Sequence, residues 1–457
     1  MTNQPLIRPV AASPASLLAL HAAHPSRYPA LLESAAAGLE LGKFDILFAH
    51  PRESMTLEAS GALIEPDGSS SGETFLRQFD RWWTQLRQPS SESPLPFRGG
   101  WFMYLGYELA GQVEPKLHLR SPTQGPIAMA IRVPAAIIIE HETQRSWIVA
   151  EAEFPELLDD IERDIADVSP TQFKSEHSIS ASEVIEDPPA DYIAAITRAL
   201  DYIQRGDIYQ ANLSRGWRAQ LQPGIQPHQV YRRLRETNPG PFCALVVLPD
   251  LAIVSSSPER LVSVKGGWIS TRPIAGTRPR SKDPGADREL VHELHAHPKE
   301  RAEHIMLIDL ERNDLGRVCE AGTVEVDEYM TIETYTHVHH IVSNIRGRLR
   351  GDIAPGAAIA AVFPGGTITG CPKVRCMEII AELEHTARGA YTGSLGYVNR
   401  DGSMDFNILI RSLEIHGREV SLRAGAGIVA DSIPERELEE SRAKARGVLR
   451  ALGENIG

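Results

Sequence analysis

A glycine-rich stretch, Phe363–Glu378 (FPGGTITGCPKVRCME), has the residue types of an anion-binding site. Gly365, Gly366 and Gly370 can adopt positive φ and let a ligand approach the backbone closely. Lys373 adds a positive charge at the same place. Taken alone, the stretch is equally compatible with an ordinary glycine turn before a core helix.

A helix is predicted directly after these glycines. Pro372 suits the first helical turn, where its missing N–H costs nothing. Val374, Met377 and Ile380 recur at helical spacing, and Gly389 is expected to end the helix. Because free N–H groups at the start of a helix favour an anion, the turn and the helix together predict a site for a phosphate or a carboxylate.

Other side chains suited to acid–base or ionic chemistry stand at predicted strand ends and turns. They are Glu259 and Arg260 in SSSPERL, Arg272 in TRPIAGTRPR, Glu303 and His304 in KERAEHIMLIDLERNDLGR, His337, His339 and His340 in YTHVHHIVS, Arg411 in FNILIRSLE, and Gly425 and Gly427 in AGAGIVADS. Each has an ordinary alternative: Glu259 and Arg260 could form a simple ion pair, and Glu303 could be solvated. The histidines match no usual zinc spacing, and AGAG lacks the Lys-Ser/Thr of a nucleotide phosphate loop.

The overall charge restricts the classes of ligand. The 457 residues carry a formal net charge of −13, which argues against a general nucleic-acid-binding protein. An anionic small ligand would therefore need local positive groups, a metal ion or helix ends. The four cysteines form no CxxC pair, so a reduced, cytoplasmic setting is expected. No apolar run approaches the roughly 18 residues of a membrane span, and no signal peptide is expected.

The first region of the chain, residues 15–165, is expected to be rich in short strands. Phe44–Ala49, Phe97–Leu109, Ile127–Ile139 and Ser146–Ala150 are predicted strands, Thr74–Leu86 is a predicted helix, and Leu31–Gly38 is the predicted end of another helix. Many strands with few long helices indicate a sheet-dominated α+β fold. Residues 165–190, rich in Ser, Pro and acidic residues, are predicted to be a linker.

The second region begins with a predicted helix, Asp191–Arg205, which Asp191 can cap. The strand that follows has one wholly polar face, formed by Gln210, Asn212 and Ser214. Such a face either points to water or lines a polar site.

Further helices are predicted near 287–297 and 299–310, with Pro298 between them. Residues 391–430 are predicted to return to strands. The final predicted helix, about Pro434–Leu452, carries Glu437 and Glu440 on one face.

The motifs of the second region, taken in order, resemble those of the chorismate-utilising enzymes. They are GDIYQANLS, SSSPERL, RPIAGTRPR, RAEHIMLIDLERNDLGRV, VHHIVS, FPGGTITGCPKVRCMEII, YTGSLGY, IRSLE and AGAGIVADS. The family includes component I of aminodeoxychorismate synthase, component I of anthranilate synthase, and the isochorismate and salicylate synthases. The first region resembles the N-terminal region of the first two through LLES, KFDI and FRGGWFMYLGYEL.

The resemblance implies a fold and an organisation. The fold is α+β, with two large antiparallel β-sheets packed together and helices outside. Residues 15–165 would form the N-terminal region and residues 186–452 the chorismate-binding catalytic region, with the site in a cleft of the latter.

The resemblance also implies catalytic roles. Glu259 matches the acid that protonates the departing C4 hydroxyl of chorismate, and His340 matches the histidine near the reacting ring. Thr367 and Lys373 match the loop that closes the pocket.

Metal and substrate contacts are implied in the same way. Glu303 and Glu440 match ligands of Mg²⁺, and Glu437 would help through water. The positions that hold substrate carboxylates are matched by Tyr391, Arg411 and the backbone N–H groups of Gly425, Ala426 and Gly427. Mg²⁺ agrees with the chemistry, because it can join protein carboxylates to substrate oxygens.

Gln210 bears on which reaction is expected. Water-using relatives carry a lysine here that activates water, whereas amine-using relatives carry glutamine, because ammonia is already a nucleophile. Among amine users, GDIYQANLS, LIDLERND, VHHIVS and GGTITG favour aminodeoxychorismate synthase. Ala275 in PIAGT, where many aminodeoxychorismate synthases carry lysine, is the form found in anthranilate synthases. The sequence therefore predicts component I of aminodeoxychorismate synthase, with component I of anthranilate synthase, which serves tryptophan biosynthesis, as the alternative.

Two further ligands follow from the resemblance. No glutaminase motif is evident, so a glutamine amidotransferase subunit is expected to supply ammonia. A tryptophan site is implied at Ser34, Lys43, Phe44, Pro241, Phe242 and Cys243, for which the alternative is an ordinary core between the two regions. Cys371 and Cys376 replace the usual alanines, and only small packing changes are expected there.

Overall fold

Two antiparallel β-sheets of twelve strands each lie face to face and form the body of the protein. The computed structural model describes residues 4–35, 42–91, 93–169, 179, 181–335 and 338–453. His337, one of the candidate residues, lies outside these ranges.

Helices are interspersed among the strands along the chain and lie on the outside of the sheets. The strands are β1 (Leu6–Val10), β2 (Ala30–Glu33), β3 (Phe44–Ala49), β4 (Ser54–Glu58), β5 (Leu63–Ile64), β6 (Ser70–Ser71), β7 (Gly100–Leu105), β8 (Pro126–Val133), β9 (Ala135–Glu140), β10 (Arg145–Ala150), β11 (Ile185–Glu186), β12 (Gln210–Gln220), β13 (Phe242–Val247), β14 (Ala252–Ser257), β15 (Arg260–Lys265), β16 (Trp268–Thr271), β17 (Ile274–Pro279), β18 (Glu325–Thr334), β19 (Val338–Arg348), β20 (Gly370–Cys371), β21 (Ser394–Asn399), β22 (Met404–Asn407), β23 (Ser412–His416) and β24 (Glu419–Ile428). The helices are α1 (Pro14–Ala23), α2 (Phe75–Leu86), α3 (Ala110–Val113), α4 (Glu156–Asp167), α5 (Pro189–Gln204), α6 (Pro227–Thr237), α7 (Pro284–Ala296), α8 (Pro298–Gly316), α9 (Pro355–Val362), α10 (Lys373–Leu383) and α11 (Pro434–Leu449), with short 3₁₀ turns at Tyr107–Leu109 and Arg450–Leu452.

The strand order shows how the chain crosses between its two regions. The first sheet runs β1-β10-β9-β3-β2-β13-β14-β23-β24-β12-β11, with β20 paired to the end of β12. The second runs β17-β19-β16-β15-β22-β21-β7-β8-β4-β5-β6, with β18 paired to β19. Both sheets contain strands from 15–165 and from 186–452, joined at the pairs β2–β13 and β7–β21. The two regions thus remain a division of the sequence, while their strands share two continuous sheets.

Hydrophobic alternation explains the layers. In β3, Ile46 and Phe48 enter the core between the sheets, whereas Leu47 and Ala49 enter the core under the outer helices, because successive side chains of a strand point to opposite faces. Helices α1, α4, α6 and α11 cover the first sheet, and α2, α8 and α9 cover the second. The predicted fold class, with two large antiparallel sheets packed together and helices outside, is confirmed. Of the helices described, none combines the length and apolarity that a membrane crossing requires.

Some local predictions are wrong. The segment predicted to end a helix at Leu31–Gly38 instead begins as a strand, because Leu31 and Leu32 pair with both β3 and β13; residues 36–38 lie outside the described ranges. Helix α5 begins at Pro189, so Asp191 lies within its first turn and does not cap it.

The glycine-rich stretch also differs from expectation. Helix α10 ends at Leu383 and not at Gly389, and Pro372 precedes its first turn. Only Gly370 of the three loop glycines has positive φ, at 135°. Gly366 is needed for space instead, because a Cβ there would lie 2.6 Å from Leu310 Cδ2.

Candidate active site

A cavity of about 260 Å³ opens beside α11. Its walls include Tyr335, His340, Arg411, Glu440 and Lys444, and we call it the active-site cavity. His340 comes from β19 of the second sheet, whereas Arg411 directly precedes β23 of the first. The structure therefore brings three of the predicted residues, His340, Arg411 and Glu440, together where the two sheets meet.

Glu259 lies in the short turn between β14 and β15 and is buried. The simple ion pair with Arg260 is not formed, because Arg260 binds Asp405 with two bonds of 2.9 and 2.8 Å. Burial raises the pKa of Glu259 to about 7; Glu311 adds to the rise, and Arg411 is among the groups that oppose it. A carboxyl group with this pKa keeps much of its proton near neutral pH, as a general acid must.

Several buried polar atoms of predicted site residues lack a hydrogen-bond partner among the described residues. They are His340 Nε2, Gln210 Oε1 and Asn212 Oδ1, whereas the side chain of Thr367 acts on Glu259 as a hydrogen-bond partner. In proteins roughly nine in ten such atoms are paired, and an unpaired one costs about 1–3 kcal/mol. A group of them indicates the place of a polar ligand.

Contacts tie these atoms to the active-site cavity. Thr367 and Arg411 both lie close enough to Glu259 to lower its pKa, and Arg411 and His340 share the cavity wall. The loop that carries Thr367 therefore lies on the Glu259 side of the site.

Strand β12 brings its polar face to the same region. The N–H of Asn212 donates to the carbonyl of Thr369 at 2.9 Å, two residues beyond Thr367. Gln210 is buried and lies against Gly427, where a Cβ would be 2.7 Å from Gln210 Nε2. The polar face of this strand therefore lies inside the protein and does not face water.

The backbone of β24 has an open side at its end. Gly425, Ala426 and Gly427 pair with β12, but β23 accompanies β24 only as far as Leu422. Beyond Leu422 the β23 side of β24 has no neighbouring strand in the part of the chain that the structure describes. Because successive N–H groups of a strand point to opposite sides, only alternate N–H groups of the three predicted residues can face this open side and bind a carboxylate.

Arg411, and Thr392 beside Tyr391, have positive φ angles. Arg411 has φ of 53°, and Thr392, next to Tyr391, has φ of 63°; such conformations cost of order 1–3 kcal/mol and persist where the surroundings impose them, often at binding sites. Both predicted side chains are inside the protein, with the Tyr391 ring 5.6 Å from the guanidinium carbon of Arg388. Burial lowers the pKa of Arg411, and Glu259 opposes this.

His340 is held as a neutral ring. Its Nδ1 lies 3.0 Å from Thr277 Oγ1 and 3.3 Å from the carbonyl of Gly276. Burial lowers its pKa to about 4, and Arg411 acts in the same direction. Because the Gly276 carbonyl can only accept, Nδ1 is assigned the hydrogen, which leaves a lone pair on the buried Nε2.

Lys373 is tied up inside the protein. At the start of α10 its ammonium group donates to Asp314 Oδ2 and to the carbonyl of Val362, the latter at 3.2 Å. Its positive charge is thus neutralised by Asp314, so an anion bound at the helix start would have to compete for it.

The two predicted metal ligands lie on different helices. Glu440, on α11, pairs with Lys444 at 2.8 Å, and Lys444 donates to the carbonyl of Gly425 at 2.9 Å. Glu303 is half-buried on α8, and Glu437 lies in the first turn of α11. Among the described residues no three His, Cys, Asp or Glu side chains lie close enough together to hold a metal by themselves.

Three functional candidates were missed from the sequence. Lys444 lines the cavity, Glu311 is a buried carboxyl whose pKa burial raises to about 7, and Arg388 is buried under Tyr391. Glu311 follows Glu303 by eight residues on the same helix, and Lys444 follows Glu440 by four. Helical spacing from the predicted acids could therefore have found these two residues.

A second cavity, of about 520 Å³, corresponds to the predicted tryptophan site. Its walls include five of the six predicted residues, Lys43, Phe44, Pro241, Phe242 and Cys243. Ser34, the sixth, is buried, and its N–H donates to Asp45 Oδ1 at 3.0 Å. Cys243 also belongs to the hydrophobic core, so five of the six residues border a cavity and the tryptophan site remains a prediction.

Known relatives share both the sequence and the fold. The chain is 43% identical over 368 residues to an anthranilate synthase component I-like protein from Synechocystis, covering 78% of this chain and 73% of the relative. It is 40% identical over 389 residues to aminodeoxychorismate synthase component 1 of Bacillus subtilis, covering 82% of each. It is 37% identical over 438 residues to anthranilate synthase component 1 of Thermus thermophilus, covering 92% and 91%.

Solved structures agree with these matches. Anthranilate synthase component I from Streptococcus pneumoniae superposes with a TM-score of 0.80 at 31% identity, over 90% of this chain and 93% of that one. The menaquinone-specific isochorismate synthase of Escherichia coli, at 18% identity, has a TM-score of 0.70 over 99% and 95%, and shows the fold alone. Over residues 29–450 the chain matches the chorismate binding enzymes, and it belongs to that family.

Proposed function

We propose that this protein is component I of aminodeoxychorismate synthase, which converts chorismate and ammonia to 4-amino-4-deoxychorismate for p-aminobenzoate and folate synthesis. The observation that carries the aminating activity is Gln210, a buried neutral amide with its Oε1 unpaired among the described residues; the motifs GDIYQANLS, LIDLERND, VHHIVS and GGTITG favour aminodeoxychorismate synthase over the other amine users. An amide cannot act as the general base that water would need, but it can orient ammonia, which already has a lone pair.

The chemistry proposed for chorismate uses groups already in place. The carboxylates of chorismate would be held by Arg411, Tyr391 and the open backbone of β24. As the C4–O bond breaks, Glu259 gives its proton to the departing oxygen, so that water leaves instead of hydroxide. The lone pair of ammonia supplies the new C–N bond, and the surplus proton on nitrogen is then lost. General acid help of this kind is typically worth about 10²–10⁴ in rate.

Mg²⁺ would be held by Glu303 and Glu440. A site of two carboxylates completed by substrate and water oxygens is typical of Mg²⁺. Glu440 is paired with Lys444, which also donates to the carbonyl of Gly425, so the metal would compete with this ammonium group. When bound, the metal would neutralise a substrate carboxylate in an acidic protein.

Ammonia would come from a glutamine amidotransferase subunit. The purified chain should be inactive with glutamine alone, active when such a subunit is added, and active with high ammonium at alkaline pH. Glutamine-dependent turnover by the isolated chain would contradict this arrangement.

Anthranilate synthase component I is the alternative that Ala275 favours. Ala275 lies on β17, opposite Ile341 and so next to His340 in the register of the sheet. In many aminodeoxychorismate synthases a lysine here is proposed to attack C2 before ammonia enters at C4. Without that lysine, ammonia must reach C4 by another route, or the amine is placed at C2.

One experiment separates the two functions. Chorismate, ammonium and Mg²⁺ are incubated with the chain, with and without an added aminodeoxychorismate lyase, and the products are identified by mass and fluorescence. We expect p-aminobenzoate only when the lyase is present. Anthranilate formed directly, without the lyase, would overturn the proposal in favour of the alternative.

A further inference from the structure

Arg388 is a buried arginine whose guanidinium uses all of its donor groups. The side chain is 2% exposed and lies a few residues after α10. Nε and one terminal nitrogen hold Glu384 at 3.0 and 2.7 Å. That same nitrogen donates to the carbonyl of Asn212 at 2.7 Å. The other terminal nitrogen donates to the carbonyl of Ile368 at 3.1 Å and to Thr392 Oγ1 at 3.2 Å.

The three bonds beyond Glu384 reach three separate segments of the proposed site. Asn212 is on β12, two residues after Gln210. Ile368 follows Thr367 in the glycine-rich loop, and Thr392 follows Tyr391. One planar group therefore fixes the distances between the nitrogen side of the site, the closing loop and a carboxylate-binding tyrosine.

The atoms that bind Arg388 differ in their bonding from the polar side-chain atoms nearby in the same segments. The backbone carbonyls of Asn212 and Ile368 and the hydroxyl of Thr392 accept from Arg388, whereas Gln210 Oε1 and Asn212 Oδ1 have no partner within the described ranges. A rigid backbone with unmet side-chain atoms is the arrangement expected of a preorganised site, where the ligand completes the bonding.

Glu384 extends the same network and keeps Arg388 in place. It accepts from the N–H and the hydroxyl of Ser214 at 2.8 and 3.0 Å, and from Arg423 at 2.9 Å. Arg388 lowers the pKa of Glu384, although burial acts the other way. The carboxylate is thus ionised and holds the guanidinium through two hydrogen bonds.

We propose that Arg388 is a positioning residue that sets the spacing of Gln210, Thr367 and Tyr391 around chorismate. It acts through their backbone and through Thr392. Lysine cannot replace it, because an ammonium group has no planar fork and only three N–H donors, and so cannot serve these five acceptor atoms. This inference concerns the turnover of chorismate and holds whether the product is aminodeoxychorismate or anthranilate.

The test compares Arg388→Lys with Arg132→Lys. Arg132 is a matched control: it is 6% exposed, pairs with Glu151, donates to the carbonyl of Gly100 at 2.8 Å and lies 5.0 Å from the ring of Trp101. It lies on β8, away from the residues proposed to contact chorismate. Both substitutions keep the charge and lose the fork, so both should lower Tm.

The readouts are kcat and KM for chorismate consumption with saturating ammonium, corrected for the folded fraction. A misplacement of about 1 Å can cost about 10²-fold in rate, so Arg388→Lys should lower kcat by about that factor, while Arg132→Lys should leave kcat of the folded enzyme within about twofold. Equal kcat in the two variants would overturn the inference. Wild-type protein that consumes no chorismate would instead overturn the proposed function.

A milder variant covers the case in which Arg388→Lys does not fold. Thr392→Val keeps the side-chain shape and removes one acceptor of Arg388. It should keep Tm within a few degrees and lower kcat several-fold, with a smaller change in KM. Wild-type kcat in this variant would count against a positioning role.

Discussion

The active-site cavity and the second cavity, the one lined by Phe242, both include Pro241 in their walls. They differ in whether their polar and charged side chains have hydrogen-bond or ion-pair partners within the protein. In the second cavity, Arg260 is paired with Asp405 and Arg98 with Asp401. In the active site, Glu440 is likewise paired with Lys444, but His340 Nε2 and Gln210 Oε1 have no hydrogen-bond partner within the described ranges.

This difference indicates which of the two cavities suits a charged or strongly polar ligand. Where the protein neutralises its own charges, a ligand gains little by bringing another, so a neutral or zwitterionic molecule suits the second cavity. Where buried polar atoms are unmet, a polar substrate can supply the missing bonds. The predictions below test that contrast, from the largest expected effect to the smallest.

Glu259→Gln should have the largest effect. The amide keeps the shape and hydrogen bonding of the side chain but cannot give up a proton, so kcat should fall by about 10²–10⁴, with chorismate binding nearly intact. The measurements are steady-state kinetics and calorimetric binding. Asp80→Asn is the control, because Asp80 is another inward-facing carboxyl whose pKa burial raises to about 6, bonded to the start of α9 and outside the site.

The opposite pattern of kcat and binding would mean that Glu259 takes no part in the chemical step. Should kcat survive within a few-fold while binding collapses, Glu259 would be a structural residue. The acid would then have to be sought elsewhere, with His340 as the next candidate.

The buried carboxyl of Glu259 should also make the free energy of unfolding depend on pH. The pKa of Glu259 is about 7 in the folded chain, against 4.5 for an ordinary glutamate. Between these values the unfolded chain loses the proton while the folded chain keeps it, so the free energy of unfolding falls as pH rises from about 4.5 to 7 and then levels off. The full effect of one such group is about 3 kcal/mol.

The check is denaturant unfolding of wild type and Glu259→Gln across pH 4–8. The difference in stability should move in favour of the variant as pH rises through this window. A difference that stays constant with pH would mean that Glu259 is ionised in the folded protein, against its proposed role as an acid.

Glu303→Gln tests the metal side of the active site. Loss of an anionic ligand should weaken Mg²⁺ and chorismate binding together, by about tenfold for each 1.4 kcal/mol lost. The Mg²⁺ dependence of kcat/KM measures this, and Asp309→Asn, at an exposed position on the same helix, is the control. If the Mg²⁺ dependence were unchanged in Glu303→Gln, Glu303 would not be a ligand.

The smallest effect is expected at the second cavity. We expect tryptophan either to bind there without inhibiting or not to bind. Calorimetry measures the binding, and chorismate consumption with added tryptophan measures inhibition. Strong feedback inhibition by tryptophan would contradict this expectation and would favour anthranilate synthase.

Much of the fold could be predicted from local patterns. The apolar runs of β3 and β9 and the amphipathic α2 follow from side-chain periodicity alone. The strand β2 could not, because its short apolar run LLES fits either element and is decided by its pairing with β13, more than two hundred positions away in the chain. Local sequence carries no information on such a partner.

The bonding of the candidate site residues could not be predicted from the sequence. The motifs pointed to Glu259, His340 and Arg411. That Lys373 is neutralised by Asp314, and that Arg388 joins three segments, depends on distances between elements remote in sequence. Motif spacing reports which residues are present, and only the packed structure reports which of them already have partners.

The sharing of both sheets between the two regions has a consequence for biosynthesis. Met103 on β7 pairs with Gly396 on β21, about 290 residues later. Neither sheet can therefore close until most of the chain has left the ribosome, and the strand edges of the early region stay exposed during that time. Such long-range pairing slows folding and favours aggregation of incomplete chains. A fragment ending near residue 165 should accordingly be captured by chaperones, whereas the full-length chain released from the ribosome should not.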